Sequence, residues 1–102
     1  MKKVIEDNQV AVLYSPGFGA GWYSWHGVLE AVFDPVIVKM VLEERHHEIE
    51  KYCDETYGTD HYWGGAEDLR VDWVTVGARF RIEEYDGNER VYTEFEYKWL
   101  EA

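Results

Sequence analysis

Apolar and polar residues alternate most clearly toward the end of the chain, where the pattern predicts β-strands. The last such segment places Val91, Thr93, Phe95, Tyr97 and Trp99 on one side, which is the two-residue period of a strand. Residues 69–73 and 80–83 alternate in the same way, and residues 85–88 have the Asp-Gly chemistry of a tight hairpin turn. The chain is therefore expected to end in a three-stranded antiparallel meander.

A different pattern marks the first strand. Residues 10–14 form a continuous apolar run that closes at Pro16, and such a run favours a central strand buried on both faces. Residues 1–9 are mainly polar and are expected to form a short lead-in or a frayed edge strand.

Between these regions the apolar residues follow helical spacing. Residues 28–33 indicate a short helix, and Asp34-Pro35 has the form of a helix start, with a carboxylate at the N-cap and proline at the first helical position. Apolar residues then recur at helical spacing as far as Cys53, with Arg45 as the one break, and Gly58 is the expected stop. The pattern predicts one long helix.

The order of these elements predicts an α+β fold in a single small domain that covers residues 1–102. A chain of this length supports one modest core. We expect a mostly antiparallel sheet, made of the N-terminal strand and the C-terminal meander, packed against one long and one short helix.

Charge narrows the range of partners. The chain has 21 acidic and 10 basic residues and a formal net charge of −11, so it would repel a phosphate backbone and is not expected to bind nucleic acid. The charge is typical of a soluble surface, but it also suits docking onto a basic patch of another protein. With no apolar run long enough for a membrane span or a secretion signal, and one cysteine, the protein is expected to be cytoplasmic with no membrane partner.

Residues 15–25 combine glycines with aromatic side chains between a predicted strand and a predicted helix. Gly17, Gly19 and Gly21 alternate there; glycines let backbone N–H groups approach a ligand closely, and a following helix N-terminus favours an anion. The loop has neither the full dinucleotide fingerprint nor the lysine of a P-loop. It is either a binding loop whose rings stack on a planar ligand, or a tight connection whose rings cap the core.

A second aromatic group beside glycines, His61, Tyr62 and Trp63, follows the predicted long helix. Arg79 and Arg81 share one face of their strand, where they either pair with acidic residues of the sheet or clamp an anion at the loop. The binding hypothesis assigns the ligand to Ser15, Gly17, Phe18, Gly19, Gly21, Trp22, Tyr23, Ser24, Trp25, His61, Trp63, Arg79 and Arg81. It implies a small planar or phosphorylated ligand, no further cofactor, and a homo-oligomer whose interface hides part of the aromatic surface.

The predicted long helix offers a separate candidate. Glu43 with His47, and His46 with Glu50, lie one turn apart, so either pair would hold a metal if a further ligand such as His61 joined it. Charged pairs on a solvated helix face explain the same residues, and no metal is expected. Cys53, on the apolar stripe, is expected to be a buried and inert thiol.

The SPGFGAGW box at residues 15–22, with Trp25 and the segment at residues 80–87, resembles a group of small uncharacterised proteins from bacteriophage and prophage genomes. The resemblance covers most of the chain and implies a viral accessory protein without assigned activity. Phage proteins of this size often sequester a nucleotide signal or block a host defence protein, and that analogy is one of class.

Three functional hypotheses follow. The first is a non-enzymatic protein that holds a small ligand with the loop. The second is an acidic inhibitor that binds a basic host protein. The third is a metal-dependent hydrolase that uses His46, His47 and Glu50.

Overall fold

The computed structural model describes residues 1–17, 19 and 21–94. The strands are β1 (Ile5–Glu6), β2 (Gln9–Tyr14), β3 (Arg70–Thr75), β4 (Phe80–Tyr85) and β5 (Asn88–Thr93). The α-helices are α1 (Tyr23–His26), α2 (Leu29–Phe33), α3 (Pro35–Leu42) and α4 (Ile49–Tyr57), and short 3₁₀ turns span His46–Glu48 and Ala66–Asp68. This arrangement confirms the α+β class.

β2 is the central strand of an antiparallel sheet with the order β1-β2-β3. Its side chains from Val10 to Leu13 are all buried, which confirms the prediction from the apolar run. α3 packs on β3, and Val41 and Leu42 line a groove together with Val71 and Trp73. Phe33, at the end of α2, meets Phe80, at the start of β4, edge-on with ring centroids 5.9 Å apart.

The predicted three-stranded meander is wrong. β3 pairs with β2 along its whole length, whereas β4 and β5 form a separate two-stranded hairpin. The chain leaves the first sheet in a turn in which Ala78 N–H donates to Thr75 C=O at 3.0 Å and Gly77 takes a φ of 83°. The later part of the predicted last strand, residues 95–99, lies outside the described residues.

The single long helix is also wrong, because it divides into α3 and α4. Glu44 takes a φ of 58°, in the left-handed region, and Arg45 N–H donates to Met40 C=O at 2.7 Å. The Arg45 guanidinium then pairs with Glu43 at 2.8 Å and with Glu48 at 2.6 Å. Arg45, the polar residue that interrupts the apolar stripe, lies in the connection between the two helices. The predicted short helix appears as α2. α1 is an additional short helix that begins within residues 15–25, the segment that combines glycines with aromatic side chains and that we call the glycine loop.

Asp34 holds the two halves of the predicted long helix together. As predicted, it caps α3, and its Oδ1 accepts from Val36 N–H at 2.8 Å and from Ile37 N–H at 3.4 Å. Its other oxygen accepts from the hydroxyls of Tyr52 at 2.8 Å and Tyr57 at 2.6 Å, both on α4. Burial, followed by the hydrogen bond to Asp34, raises the pKa of Tyr52 to about 12.

Among the described residues, the structure contains no helix that is both long enough and apolar enough to cross a membrane.

Candidate functional site

The N–H groups of the glycine loop converge on a carboxylate of the chain itself, that of Glu89 on β5. One oxygen of Glu89 accepts from Ser15 N–H at 2.9 Å; the other accepts from Trp22 N–H at 3.0 Å and Ser24 N–H at 2.8 Å. The Ser24 hydroxyl also donates to that second oxygen at 2.6 Å. The Glu89 side chain is 0% exposed, so the loop encloses an internal anion.

The β4–β5 hairpin delivers this carboxylate to the loop. Glu89 N–H donates to Ser15 C=O at 2.7 Å, and Gly19 N–H donates to Asp86 C=O at 3.0 Å. Glu84 lies directly opposite Glu89 in the ladder, and two like charges at such positions repel. The donors of the loop stabilise one carboxylate, while the other takes an exposed position beside Trp25.

Sequence reasoning missed Glu89. It lies two residues before Val91 in the strand with the clearest alternation, and the period of two places both residues on the same, inward face. A glutamate at an inward position was the signal that could have identified it.

Glycines permit the close packing of this loop. A Cβ at Gly17 would collide with the Asp68 carboxylate, and one at Gly21 would collide with the Ser24 hydroxyl. Gly19 takes a φ of 105°, in the region that favours glycine. The three glycines therefore accommodate the loop around Glu89, and Phe18 between them lies outside the described residues.

The aromatic residues of the hypothesis divide into two sets. Trp22 and Trp63 are 0% and 2% exposed and belong to the core. His26 lies between them, with ring centroids 4.5 Å from Trp22 and 4.4 Å from Trp63. His61 meets Trp63 at 5.5 Å and Tyr23 meets His26 at 6.0 Å. This set, which we call the inner ring cluster, packs the interior and presents no open ring face at Trp22 or Trp63.

Trp25 and Tyr62 form an outer pair. They are 46% and 54% exposed, and their ring centroids lie 5.1 Å apart with planes tilted by 31°. Trp25 Nε1–H donates to Glu84 Oε2 at 3.1 Å. A Cβ at Gly64 would overlap the Tyr62 ring, so the absence of a side chain lets the ring lie against the backbone. This pair is an exposed aromatic surface held in a defined place.

The two arginines pair with carboxylates of their own hairpin region. Arg79 Nε–H donates to Glu94 at 2.9 Å, and Arg81 Nε lies 2.8 Å from Glu83. Both arginines are exposed. Of the two alternatives for these arginines, the structure shows pairing with acidic residues near the hairpin.

The histidines of the metal hypothesis do not meet. Within the part of the chain that the structure describes, no three His, Cys, Asp or Glu side chains are placed to hold a metal ion. His46 Nε2–H donates to Leu69 C=O at 2.8 Å, whereas His47 is largely exposed. Cys53 is buried, and burial, with a smaller effect of Asp34, raises its pKa to about 12. The thiol therefore stays protonated at neutral pH.

His26, in the inner ring cluster, is expected to make the free energy of unfolding depend on pH. Its Nδ1 accepts from Val28 N–H at 2.9 Å, and burial, followed by His61, lowers its pKa from 6.5 to about 4. Because the unfolded chain binds the proton more readily, the free energy of unfolding should fall by about 3 kcal/mol as the pH decreases from 6.5 to 4.

Urea unfolding of the wild type and of His26→Asn over this pH range tests the effect. Asparagine keeps an acceptor for Val28 N–H and does not titrate, so the difference between the two proteins should change by about 3 kcal/mol. A difference that stays constant across the range would show that His26 is not the titrating group.

A groove runs between the C-terminal end of α3 and β3. It encloses about 620 Å³. Its apolar lining comes from Pro16, Val41, Leu42, Leu69, Val71 and Trp73, and its polar lining comes from Gly17, Glu44, His46, Glu67, Asp68 and Arg70. We call it the acidic groove, since Glu44, Glu67 and Asp68 are all exposed along it.

Comparisons of the chain with protein-family models, with curated proteins and with solved structures find no match.

Proposed function

We propose that this protein is a non-enzymatic binding module that docks onto a basic segment of another protein through the acidic groove. The observation that carries the proposal is the composition of that groove, with an apolar lining bordered by the carboxylates of Glu44, Glu67 and Asp68. Apolar contacts supply affinity in such a groove, and charge complementarity selects the partner.

The N–H groups of the glycine loop already have an acceptor within the chain, which favours a protein partner over a phosphorylated ligand. A phosphate needs open N–H donors, but those of Ser15, Trp22 and Ser24 already bind Glu89. A phosphate would have to displace a buried carboxylate that carries four hydrogen bonds from the loop. The net charge of −11 opposes the same ligand and favours a basic one.

The resemblance to small phage proteins suggests the kind of partner that this proposal requires. A basic protein of the host is the corresponding partner, and the acidic groove would cover its positively charged surface. Inhibition would follow from occupancy alone, so the proposal needs no catalytic residue.

Matched charge reversal tests the proposal. The probe is an acetylated heptapeptide in which lysine or arginine alternates with valine, titrated by calorimetry at physiological salt. Glu44→Lys/Glu67→Lys changes the groove, and Glu6→Lys/Glu50→Lys changes the net charge equally at exposed positions outside its lining. We expect the groove variant to weaken binding about tenfold and the control about twofold or less. Equal weakening in both variants, or no binding by the wild type, would contradict the proposal.

A second candidate is a small planar ligand at the outer pair. The exposed, stacked rings of Trp25 and Tyr62 favour it, and it retains the stacking part of the loop hypothesis. A thermal-shift panel of nucleosides and nucleotides tests it. Stabilisation that Trp25→Ala abolishes would support this candidate, whereas an unchanged melting temperature with every compound would exclude it.

A further inference from the structure

The hydrogen-bond pattern of the first sheet shows which backbone groups of β3 face away from β2. Val76 N–H donates to Asn8 C=O at 2.9 Å, and these residues continue the register in which Gln9 lies opposite Thr75. In an antiparallel ladder, hydrogen-bonded and non-bonded pairs alternate. The N–H and C=O groups of Val71, Trp73 and Thr75 therefore point outward from the sheet.

At both ends of this outward edge the backbone C=O group already accepts a hydrogen bond. Leu69 C=O, which faces the same way, accepts from His46 Nε2–H at 2.8 Å. Thr75 C=O accepts from Ala78 N–H at 3.0 Å. Between these contacts, the N–H and C=O groups of Val71 and Trp73 and the N–H of Thr75 have no hydrogen bond to any described residue.

The part of the edge that no described residue pairs with coincides with the acidic groove. Val71 and Trp73, whose backbone groups have no partner within the described part of the chain, are two of the residues that line it. The carboxylates of Glu44, Glu67 and Asp68 border the same space. One surface thus offers backbone donors and acceptors at strand spacing, apolar side chains and negative charge.

We propose that the partner segment binds in an extended conformation and adds to β3 as a fourth strand of the β1-β2-β3 sheet. This inference rests on the proposed function and specifies how the basic segment is recognised. An added strand satisfies the outward groups of Val71 and Trp73, and its lysine or arginine side chains meet the groove carboxylates. The contacts at His46 and Ala78 limit the paired length to about five residues of the partner.

The mode of binding makes a prediction about the backbone of the peptide. An added strand bonds to β3 through every second residue only. Methylating the nitrogens of one alternate set in the basic heptapeptide should therefore weaken binding at least about tenfold. Methylating the other set should change binding about twofold or less, because those nitrogens face away from β3.

Amide hydrogen exchange of the full chain, followed residue by residue by NMR, locates the contact. In the free protein the amides of Val71 and Trp73 should exchange faster than that of Val74, whose N–H faces β2. Adding the heptapeptide should slow the exchange of Val71 and Trp73. Protection of both amides at every protein concentration without peptide would mean that this chain pairs its own edge, and concentration-dependent protection would mean a second copy. Either result overturns the inference.

The two experiments separate this inference from the proposed function. If the groove variant weakens binding but both methylated peptides bind equally well, the groove binds a basic partner without strand addition and only the inference fails. If the heptapeptide does not bind at all, the proposed function fails as well.

Discussion

Glu89→Ala is expected to lower the free energy of unfolding by about 4 kcal/mol, a large part of the stability of a domain of this size. The substitution removes the acceptor for the N–H groups of Ser15, Trp22 and Ser24 and for the Ser24 hydroxyl. Ser15 and Trp22 are fully buried, so water does not replace the lost partner, and each buried donor without an acceptor costs about 1–3 kcal/mol. Urea unfolding followed by tryptophan fluorescence measures the loss.

The chain provides a matched control for this prediction. Glu84 lies opposite Glu89 in the same hairpin and on the same face, but it is exposed and accepts from the Trp25 indole. Glu84→Ala should therefore cost about 0.5 kcal/mol or less. Equal effects of the two substitutions would contradict the internal role of Glu89.

Trp22→Ala should destabilise the protein by a similar amount, about 4 kcal/mol. The side chain is completely buried and contacts the rings of His26 and Trp63 in the inner ring cluster. Truncation leaves a cavity at the point where the loop packs on the core. Trp22→Phe should cost less, about 2 kcal/mol, because it retains an aromatic ring and because no described residue accepts from the Trp22 indole N–H.

Trp25→Ala is the control for Trp22. It removes an exposed ring of the same loop and should change the free energy of unfolding by about 1 kcal/mol or less. Circular dichroism during thermal unfolding of the three variants checks the order. If Trp25→Ala were as damaging as Trp22→Ala, the division between the inner ring cluster and the outer pair would be wrong.

The sequence pattern correctly predicted the elements that depend only on residues close together in the chain. The apolar run of β2, the N-cap at Asp34 with Pro35 behind it, and the turn before Asn88 each depend on neighbouring residues, and the structure contains all three. The division between α3 and α4 was less accessible because apolar spacing continues on both sides of it. Arg45 pairs with Glu43 and Glu48 in the connection between the two helices, and periodicity alone does not reveal these pairs.

The errors in the sheet arose from contacts that are distant in the sequence. Alternation identified β3, β4 and β5 as strands, but it does not say which strand is the neighbour of which. β3 pairs with β2, more than fifty residues earlier in the chain. Strand pairing depends on the three-dimensional path of the chain, so consecutive strands joined by a short turn were assigned to one meander.

The candidate loop shows the same division between local and distant causes. Glycine spacing led to the hypothesis that N–H groups of the loop approach a ligand, and in the structure the N–H groups of Ser15, Trp22 and Ser24 bind a carboxylate of the chain. The acceptor is Glu89, 74 residues after Ser15, so nothing within the loop distinguished an internal carboxylate from an external ligand. The acidic groove draws its lining from α3, β3 and the segments beside them, and no single stretch of sequence carries its pattern.

The most direct test of the account is a map of amide chemical shifts in the isotope-labelled protein as the basic heptapeptide is added. We expect the shifts to concentrate at Val71, Trp73 and Thr75 and at Glu44 and Glu67, with the amides of Ser15, Trp22 and Ser24 unchanged because Glu89 continues to hold them. Shifts that concentrate instead at Ser15, Trp22 and Ser24, or that spread evenly over all exposed acidic residues, would contradict binding at the acidic groove.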